Sequence, residues 1–233
     1  MFRNYLVVAI RNLLRHRIYS SINVLGLAIG MACCIVISLF VRFELDWDTN
    51  HQLAERIFRM NIRSGDRWHA TAPDPLGPLM LQTFPEIETF VRTIQDGGKL
   101  TRYGEKRFYE SILYADKAIF DVFDFPFVAG DPGTALEDPR SMVITEETAR
   151  KYFGKLSPMG ETLVVGDREY RISGVVADIP DNSSVQFDFL GPHSALEGIR
   201  SDLDSWCCAN FETYLVLTKG QKPDRLEQAL ADL

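Results

Sequence analysis

One apolar run near the N-terminus constrains the fold of this chain more than any other feature. Residues 22–41, INVLGLAIGMACCIVISLFV, contain no charged side chain. A helix of this length is about 30 Å long, which matches the hydrocarbon core of a bilayer. Helices of globular domains rarely stay apolar on every side for so long. We therefore predict that residues 22–41 form a transmembrane helix.

The charges on the two sides of this run differ in sign. They are Arg3, Arg11, Arg15 and Arg17 before it and Glu44, Asp46 and Asp48 after it. Because basic flanks stay in the cytoplasm, we expect a cytoplasmic N-terminus and a periplasmic or extracellular location for residues 42–233. A cleaved signal peptide is the main alternative, but it would have a shorter apolar run and a small-residue cleavage site, whereas this run ends in Phe40, Val41 and Arg42.

The remainder of the chain is acidic. Removing the four N-terminal arginines from the 25 Lys and Arg residues leaves 21 basic against 32 acidic residues, a balance of −11. Such a balance disfavours nucleic acid or anionic lipid as the partner of residues 42–233. About 190 residues follow the run, which is enough to bury a substantial core.

Residues 1–21 have the pattern of an amphipathic helix lying in the cytoplasmic interface of the bilayer. The alternative is that their arginines act only as topogenic charges. The residues that we select for the interfacial helix are Phe2, Leu6, Ile10 and Leu13 on the apolar side and Arg11 and Arg15 on the polar side.

The apolar run also has two different faces. Small and weakly polar residues occupy one third of its helical wheel, and Gly26 and Gly30 form a G-x-x-x-G motif. Small residues let a second membrane helix approach closely, so we predict that this face packs against further transmembrane helices. The residues of the predicted packing face are Asn23, Gly26, Gly30, Cys34 and Ser38.

Residues 42–233 are predicted to fold as a mixed domain, which makes the fold class α+β with one N-terminal transmembrane helix, βαβ-type units and antiparallel hairpins. The predicted strands cover residues 56–63, 88–94, 107–115, 141–147, 161–167, 168–176, 184–190 and 212–218, and the predicted helices cover residues 75–84, 116–123, 145–154 and 224–233.

Three local signals refine this prediction. Thr145 is a candidate N-cap and Gly154 a candidate C-terminal residue of one helix. The pair Gly166 and Asp167 predicts a tight hairpin. The glycines in residues 97–104 predict a hairpin or flexible loop rather than a phosphate-binding loop, because the phosphate-loop spacing is absent.

The sequence contains no recognisable catalytic constellation. It has no G-x-x-x-x-G-K-[ST], H-E-x-x-H or G-x-S-x-G motif. We therefore predict no catalytic residue, metal site or cofactor.

Among the four scattered histidines, we single out His69, which lies near Asp74 in the sequence, and we expect a polar loop contact there. Cys207 and Cys208 are adjacent, and we expect them to pack or to form an intermolecular bridge rather than to catalyse redox chemistry.

Several separated segments resemble one family. The opening MFRNYLVVAIRNLLRHRIYSSINVLGLAIGMA, followed by FELDWDTNHQLAERIFRM, FVAGDPGTAL, SMVITEETARKYFG, SPMGETLVVGDREYRISGVVADIP and NSSVQFDFL, is similar to the FtsX-like permeases of ABC transporters with a MacB-like periplasmic core domain. The resemblance covers nearly the whole chain. It implies a protein of the bacterial inner membrane, with residues 1–21 cytoplasmic, 22–41 in the membrane and 42–233 periplasmic.

The resemblance also implies partners and a function. In the family, three more membrane helices follow the periplasmic domain, so we expect this sequence to be the N-terminal part of a longer permease that pairs as a dimer or pseudodimer. Because the P-loop is absent, the ATPase is expected on a partner. The implied function is mechanotransmission, in which cytoplasmic ATP hydrolysis moves periplasmic domains to export or extract cargo. The alternative function is the extracytoplasmic sensing domain of a membrane receptor.

Overall fold

The computed structural model describes residues 2–48, 51–154, 157–224 and 226–227. The chain divides into two compact units, Met1–Trp47 and Asp48–Leu233.

The first unit consists of two helices. Helix α1 covers Phe2–Arg15 and helix α2 covers Arg17–Leu45. They are separated at His16, whose backbone leaves the helical region with φ −113° and ψ 52°. The apolar run predicted to cross the membrane lies inside α2, which extends beyond it at both ends because no proline or glycine interrupts the helical hydrogen bonds there.

The second unit mixes strands with short helices. Its strands are β1 (Ile57–Arg59), β2 (Ile62–Ser64), β3 (Arg67–His69), β4 (Ala72–Pro73), β5 (Ile87–Tyr103), β6 (Lys106–Ala115), β7 (Phe127–Gly130), β8 (Ser141–Thr145), β9 (Thr162–Val165), β10 (Arg168–Val176), β11 (Phe189–Pro192) and β12 (Ala209–Leu217). Its helices are α3 (Leu76–Thr83), α4 (Ile119–Val122) and α5 (Glu146–Phe153), with 3-10 turns at Ala54–Arg56 and His193–Leu196.

Ten of these strands form one sheet that closes partly on itself. The strand order is β1-β12-β5-β6-β11-β8-β10-β7, and β9 pairs with both β10 and β5. A closed ring is therefore formed by β5, β6, β11, β8, β10 and β9. Each strand of the ring pairs with a strand on both sides. All six contribute to one buried core cluster, through Ile94, Ile112, Phe189, Ile144, Ile172 and Leu163.

The predicted α+β fold class is confirmed, including its βαβ-type units and hairpins. Strands β1 and β5 both pair antiparallel with β12, so they run parallel to each other with α3 between them in the sequence. Strands β8 and β10 pair parallel, and α5 follows β8. Strands β9 and β10 form the predicted hairpin around Gly166, whose φ is +59°.

Helix α5 has the predicted ends. The Thr145 hydroxyl accepts a hydrogen bond from the backbone N–H of Thr148 at 3.3 Å, which satisfies one of the free donors at the start of the helix. Gly154 adopts the left-handed conformation with φ +67°, which favours glycine because it has no Cβ.

Three predicted elements are wrong in extent. The strand predicted over residues 56–63 is divided between β1, which joins the main sheet, and β2, which forms a separate hairpin with β3. The predicted hairpin in residues 97–104 is confirmed, but its turn is shorter than predicted: only Gly104 lies in it, whereas Gly97 and Gly98 belong to β5, which has a bulge between Asp96 and Lys99. The strand predicted over residues 184–190 begins only at Phe189.

The residues between Ser184 and Phe189 form loop hydrogen bonds instead of strand pairing. The Ser184 backbone N–H donates to Asp48 at 2.7 Å, and the Gln186 amide donates to the carbonyl of Ser183 at 3.2 Å. These bonds take the place of a strand ladder. The helix predicted over residues 224–233 lies largely outside the described residues.

Candidate functional site

The predicted packing face lies entirely within the uninterrupted helix α2. Its residues are spaced three or four positions apart, so they fall on one side of the helix. At Gly26 and Gly30, apart from the neighbouring residues and backbone of the helix itself, no atom of the described residues lies within 4 Å of the position that a Cβ would take. The helix is long and apolar enough to cross a membrane, and its side chains are exposed. The face itself stays a prediction.

The predicted interfacial residues lie on α1. The Arg11 and Arg15 side chains are exposed, and Arg15 is the basic residue of the last helical turn, where it faces the negative end of the helix dipole. All four selected apolar side chains lie outside what the structure describes: Phe2, Leu6, Ile10 and Leu13.

The folded unit contains a buried cluster of charges. The Arg92 guanidinium on β5 contacts the Asp74 carboxylate at 2.9 Å and the Asp116 carboxylate at 2.7 Å. Its Nε also donates to Asp116 at 2.9 Å, so that pair is bidentate. The side chain of Arg92 is 11% exposed and that of Asp74 is 2% exposed. The cluster therefore joins β5 to the segment before α3 and to the end of β6.

Asp74 is the centre of this cluster. Its Oδ1 also contacts Nε2 of His193 at 2.7 Å, and its Oδ2 accepts a hydrogen bond from the backbone N–H of Asp204 at 3.2 Å. Burial by itself raises the pKa of Asp74, but the His193 hydrogen bond, the Arg92 charge and the Asp204 N–H outweigh it. The pKa of Asp74 is thus below its ordinary value. Both carboxylate oxygens are occupied, which suits a structural anchor rather than a general base.

The expected contact between His69 and Asp74 is wrong. His69 lies on β3, where its backbone pairs with Ile62, and its side chain is exposed. The histidine that reaches Asp74 is His193, which is 119 residues away in sequence. Sequence spacing could not identify this partner, because the pairing of β11 with β6 places the turn that carries His193 next to the charge cluster.

A second cluster attaches helix α5 to strand β6. The Glu110 carboxylate, 9% exposed, accepts hydrogen bonds from the Lys151 ammonium and the Tyr152 hydroxyl, both at 2.7 Å. Burial, followed by the Glu110 hydrogen bond, raises the pKa of Tyr152. Burial and the neighbouring Glu110 charge likewise raise the pKa of Asp188. The contacts of Lys151 and Tyr152 with Glu110 hold α5 against β6.

The cavities of the folded unit have mainly polar linings. One of about 340 Å³ lies beside the first charge cluster, next to Asp116 and His193. Another of about 320 Å³ is lined by Gln95, Gln186 and Asn210 among others. Within the described ranges, no group of three or more His, Cys, Asp or Glu side chains is arranged to hold a metal ion.

The family model for the MacB-like periplasmic core domain matches residues 20–233. The chain belongs to this family. The matched region contains all but the first three residues of α2 and the whole of the folded unit. The predicted resemblance to the MacB-like and FtsX-like permeases of ABC transporters is thereby confirmed. No curated protein matches the chain by sequence.

Three solved structures resemble the chain. A domain of a protein assigned as a permease from Porphyromonas gingivalis has a TM-score of 0.65 at 26% identity, covering 78% of this chain and 81% of its own. The periplasmic region of MacB from Actinobacillus actinomycetemcomitans has a TM-score of 0.56 at 16% identity, covering 80% and 83%. The extracellular domain of the noncanonic ABC-type transporter YknZ from Gram-positive bacteria has a TM-score of 0.51 at 16% identity, covering 74% and 86%.

These comparisons assign the folded unit. It is a MacB-like periplasmic core domain of an ABC transporter permease. The family is a transporter component, and its members are generally not catalytic themselves. Together with the apolar N-terminal helix, the comparisons indicate a membrane-anchored protein with an extracytoplasmic domain.

Proposed function

We propose that this chain is the N-terminal part of a permease subunit that couples ATP hydrolysis by a cytoplasmic P-loop ATPase to movement of its periplasmic domain. The movement drives export or extraction of cargo. Family membership supports this proposal over the sensory receptor, because the matched domain is that of transporter permeases. In this arrangement α1 lies in the cytoplasmic interface, α2 crosses the inner membrane and the folded unit is periplasmic.

The observation that carries the proposal is the uninterrupted length of helix α2. Its 29 residues correspond to about 43 Å, roughly 13 Å more than the hydrocarbon core of a bilayer. Neither glycine nor proline occurs between Gly30 and Asp48. The helix is still hydrogen-bonded at its end, where the Asp46 N–H donates to the Arg42 carbonyl at 2.9 Å. Such a helix can transmit a push or a rotation out of the membrane.

The two faces of α2 support different contacts. The packing face would bind further transmembrane helices of the same chain or of a second permease chain, forming a dimer or pseudodimer. On the opposite face, Leu25 is 61% exposed and Ile29 is 64% exposed. This face would contact lipid. Arg11 and Arg15 on α1 would stay on the cytoplasmic side, where the ATPase binds.

The proposal predicts that flexibility placed within α2, beyond its apolar run, uncouples the two compartments. In the intact permease assembled with its ATPase, about two helical turns (~7 residues) of Gly/Ser sequence would be inserted after Val41. Spin labels at position 109, where Tyr109 is 76% exposed, would report the distance between periplasmic domains with and without ATP. We expect ATP hydrolysis to continue while the ATP-dependent distance change is lost.

The matched control is an alanine-rich insertion of the same length at the same site. It adds the same number of residues but keeps the helix stiff and returns the following residues to nearly the same face. We expect it to preserve the distance change. An unchanged ATP response in the Gly/Ser variant would contradict mechanical coupling through α2.

A further inference from the structure

Cys207 and Cys208 form a close pair of thiols on the surface of the folded unit. They immediately precede strand β12. The two Sγ atoms are 2.7 Å apart, which is closer than two unbonded sulfur atoms normally approach. Cys207 is exposed and Cys208 partly so. The geometry therefore brings two adjacent sulfur atoms close enough for direct bonding while leaving them open to a reagent.

The surroundings of Cys207 favour its thiolate form. The Ser205 hydroxyl donates to its Sγ at 3.1 Å and accepts from its backbone N–H at 3.3 Å. The contact with Cys208, followed by that with Ser205, lowers the pKa of Cys207, whereas the contact with Cys207 raises the pKa of Cys208. Cys207 is thus the better first nucleophile of the pair.

The turn that carries the thiols is held in place on both sides. The Asn210 amide donates to Asp202 at 2.8 Å across the turn. The Asp204 N–H donates to the buried carboxylate of Asp74 at 3.2 Å. The backbone that carries Cys207 and Cys208 is therefore anchored to the charge cluster.

We propose that Cys207 and Cys208 are a modification site, a vicinal dithiol that closes to an intramolecular disulfide by exchange with a disulfide oxidant. The Cys207 thiolate attacks one sulfur of the oxidant, which forms a mixed disulfide and releases one thiolate. The Cys208 thiolate then attacks the Cys207 sulfur and releases the second. The two cysteines lose two electrons and their thiol protons, and the oxidant becomes two thiols.

The pairing is intramolecular because each sulfur already has its partner within contact distance. The competing outcome is the intermolecular bridge that the sequence also allows. The proposal rests on the extracytoplasmic location under "Proposed function" only for the source of oxidant in the cell. A test with purified protein is independent of that location, so the two can fail separately.

The test uses the full chain in detergent, equilibrated with oxidised glutathione and then alkylated with N-ethylmaleimide. Trypsin releases residues 201–219, which contain Cys207 and Cys208 alone, while Cys33 and Cys34 fall in residues 18–42. We expect the first peptide to be lighter than its reduced form by two hydrogen atoms and to carry no maleimide. Reduction before alkylation should give the same peptide with two maleimides.

The variants Cys207→Ser and Cys208→Ser provide matched controls, because each leaves a single thiol that can only form a glutathione adduct or a dimer. We expect neither to give the lighter peptide. In the wild-type chain, two maleimides after oxidation, a stable glutathione adduct or a disulfide-linked dimer would each overturn the proposal. Labelling cells with maleimide before lysis would separately report whether the compartment supplies the oxidant.

Discussion

The carboxylate of Asp74 and the guanidinium of Arg92 form an ion pair of 2.9 Å in which both side chains are almost completely buried. A buried charge is costly unless it is paired and hydrogen-bonded. The Asp74 carboxylate meets both conditions through Arg92 and His193. The pair therefore maintains contacts between segments that are distant in sequence. Its loss should lower the free energy of unfolding of the whole folded unit.

Replacing Arg92 by methionine should strongly destabilise the domain. It leaves the buried Asp74 carboxylate without its main counter-charge, and breaking such a pair costs about 3–5 kcal/mol. Urea unfolding of the full chain in detergent, followed by near-ultraviolet circular dichroism, measures the loss. Arg63→Met is the matched control, since the Arg63 side chain is 60% exposed and its pair with Asp66 should contribute at most about 1 kcal/mol. Equal losses in the two variants would refute the structural role.

The stability of the folded unit should fall in acid because of Asp74. Its pKa in the folded protein is lowered, so its contribution is complete above its ordinary value of 3.8 and is lost as the pH falls through the folded pKa. Asp74→Asn should therefore destabilise the protein at neutral pH and reduce the slope of stability against pH below about 4. Unfolding free energies of both proteins across this range measure the effect. An unchanged acid slope would contradict the assignment.

Asp188 should act in the opposite direction. Burial and the Glu110 charge raise its pKa, so its ionised form opposes folding at neutral pH, and this penalty is relieved as the pH falls through the folded pKa. Asp188→Asn should give a small increase in stability at neutral pH. The same unfolding series tests it, with Asp121→Asn as the control, since Asp121 is also an exposed carboxylate. A loss of stability specific to Asp188→Asn would show that the charge is favourable.

The packing face of α2 should tolerate large side chains poorly. Gly26→Leu with Gly30→Leu fills the space in which a second helix would approach, so we expect assembly of the intact permease to fall several-fold, as measured by co-purification of two differently tagged copies or of the ATPase. Ala28→Leu makes the same kind of change on the opposite side of the helix and should leave assembly unchanged. Normal assembly of the glycine variant would exclude this face.

The proposed topology predicts opposite accessibilities for the two ends of the chain. In a variant without native cysteines, a membrane-impermeant maleimide applied to whole cells with a permeabilised outer membrane should label Tyr109→Cys and not Tyr5→Cys. Both tyrosines are 76% exposed, so exposure alone does not distinguish them. Labelling of position 5 alone would invert the orientation, and disruption of the inner membrane should make both positions reactive.

Elements whose signals are local could be predicted well. Thr145 and Gly154 bound α5 because an N-cap hydroxyl and a left-handed glycine act within a few residues of each other. The β9–β10 hairpin follows from Gly166 for the same reason. The limits of β5 and β11 could not be predicted, since a bulge at Asp96 and a set of loop hydrogen bonds at Ser184 depend on partners elsewhere in the chain.

The sequence by itself determined the apolar helix, the charge asymmetry around it, the mixed fold class and the family, because each is carried by composition, period or short motifs along the chain. Only the tertiary structure decided that β9 closes a ring of strands by pairing with β5. It also decided that Asp74 binds Arg92 and His193 rather than His69. These contacts join residues far apart in sequence, and the pairing of β5 with β6 and of β6 with β11 brings these residues together in the folded unit.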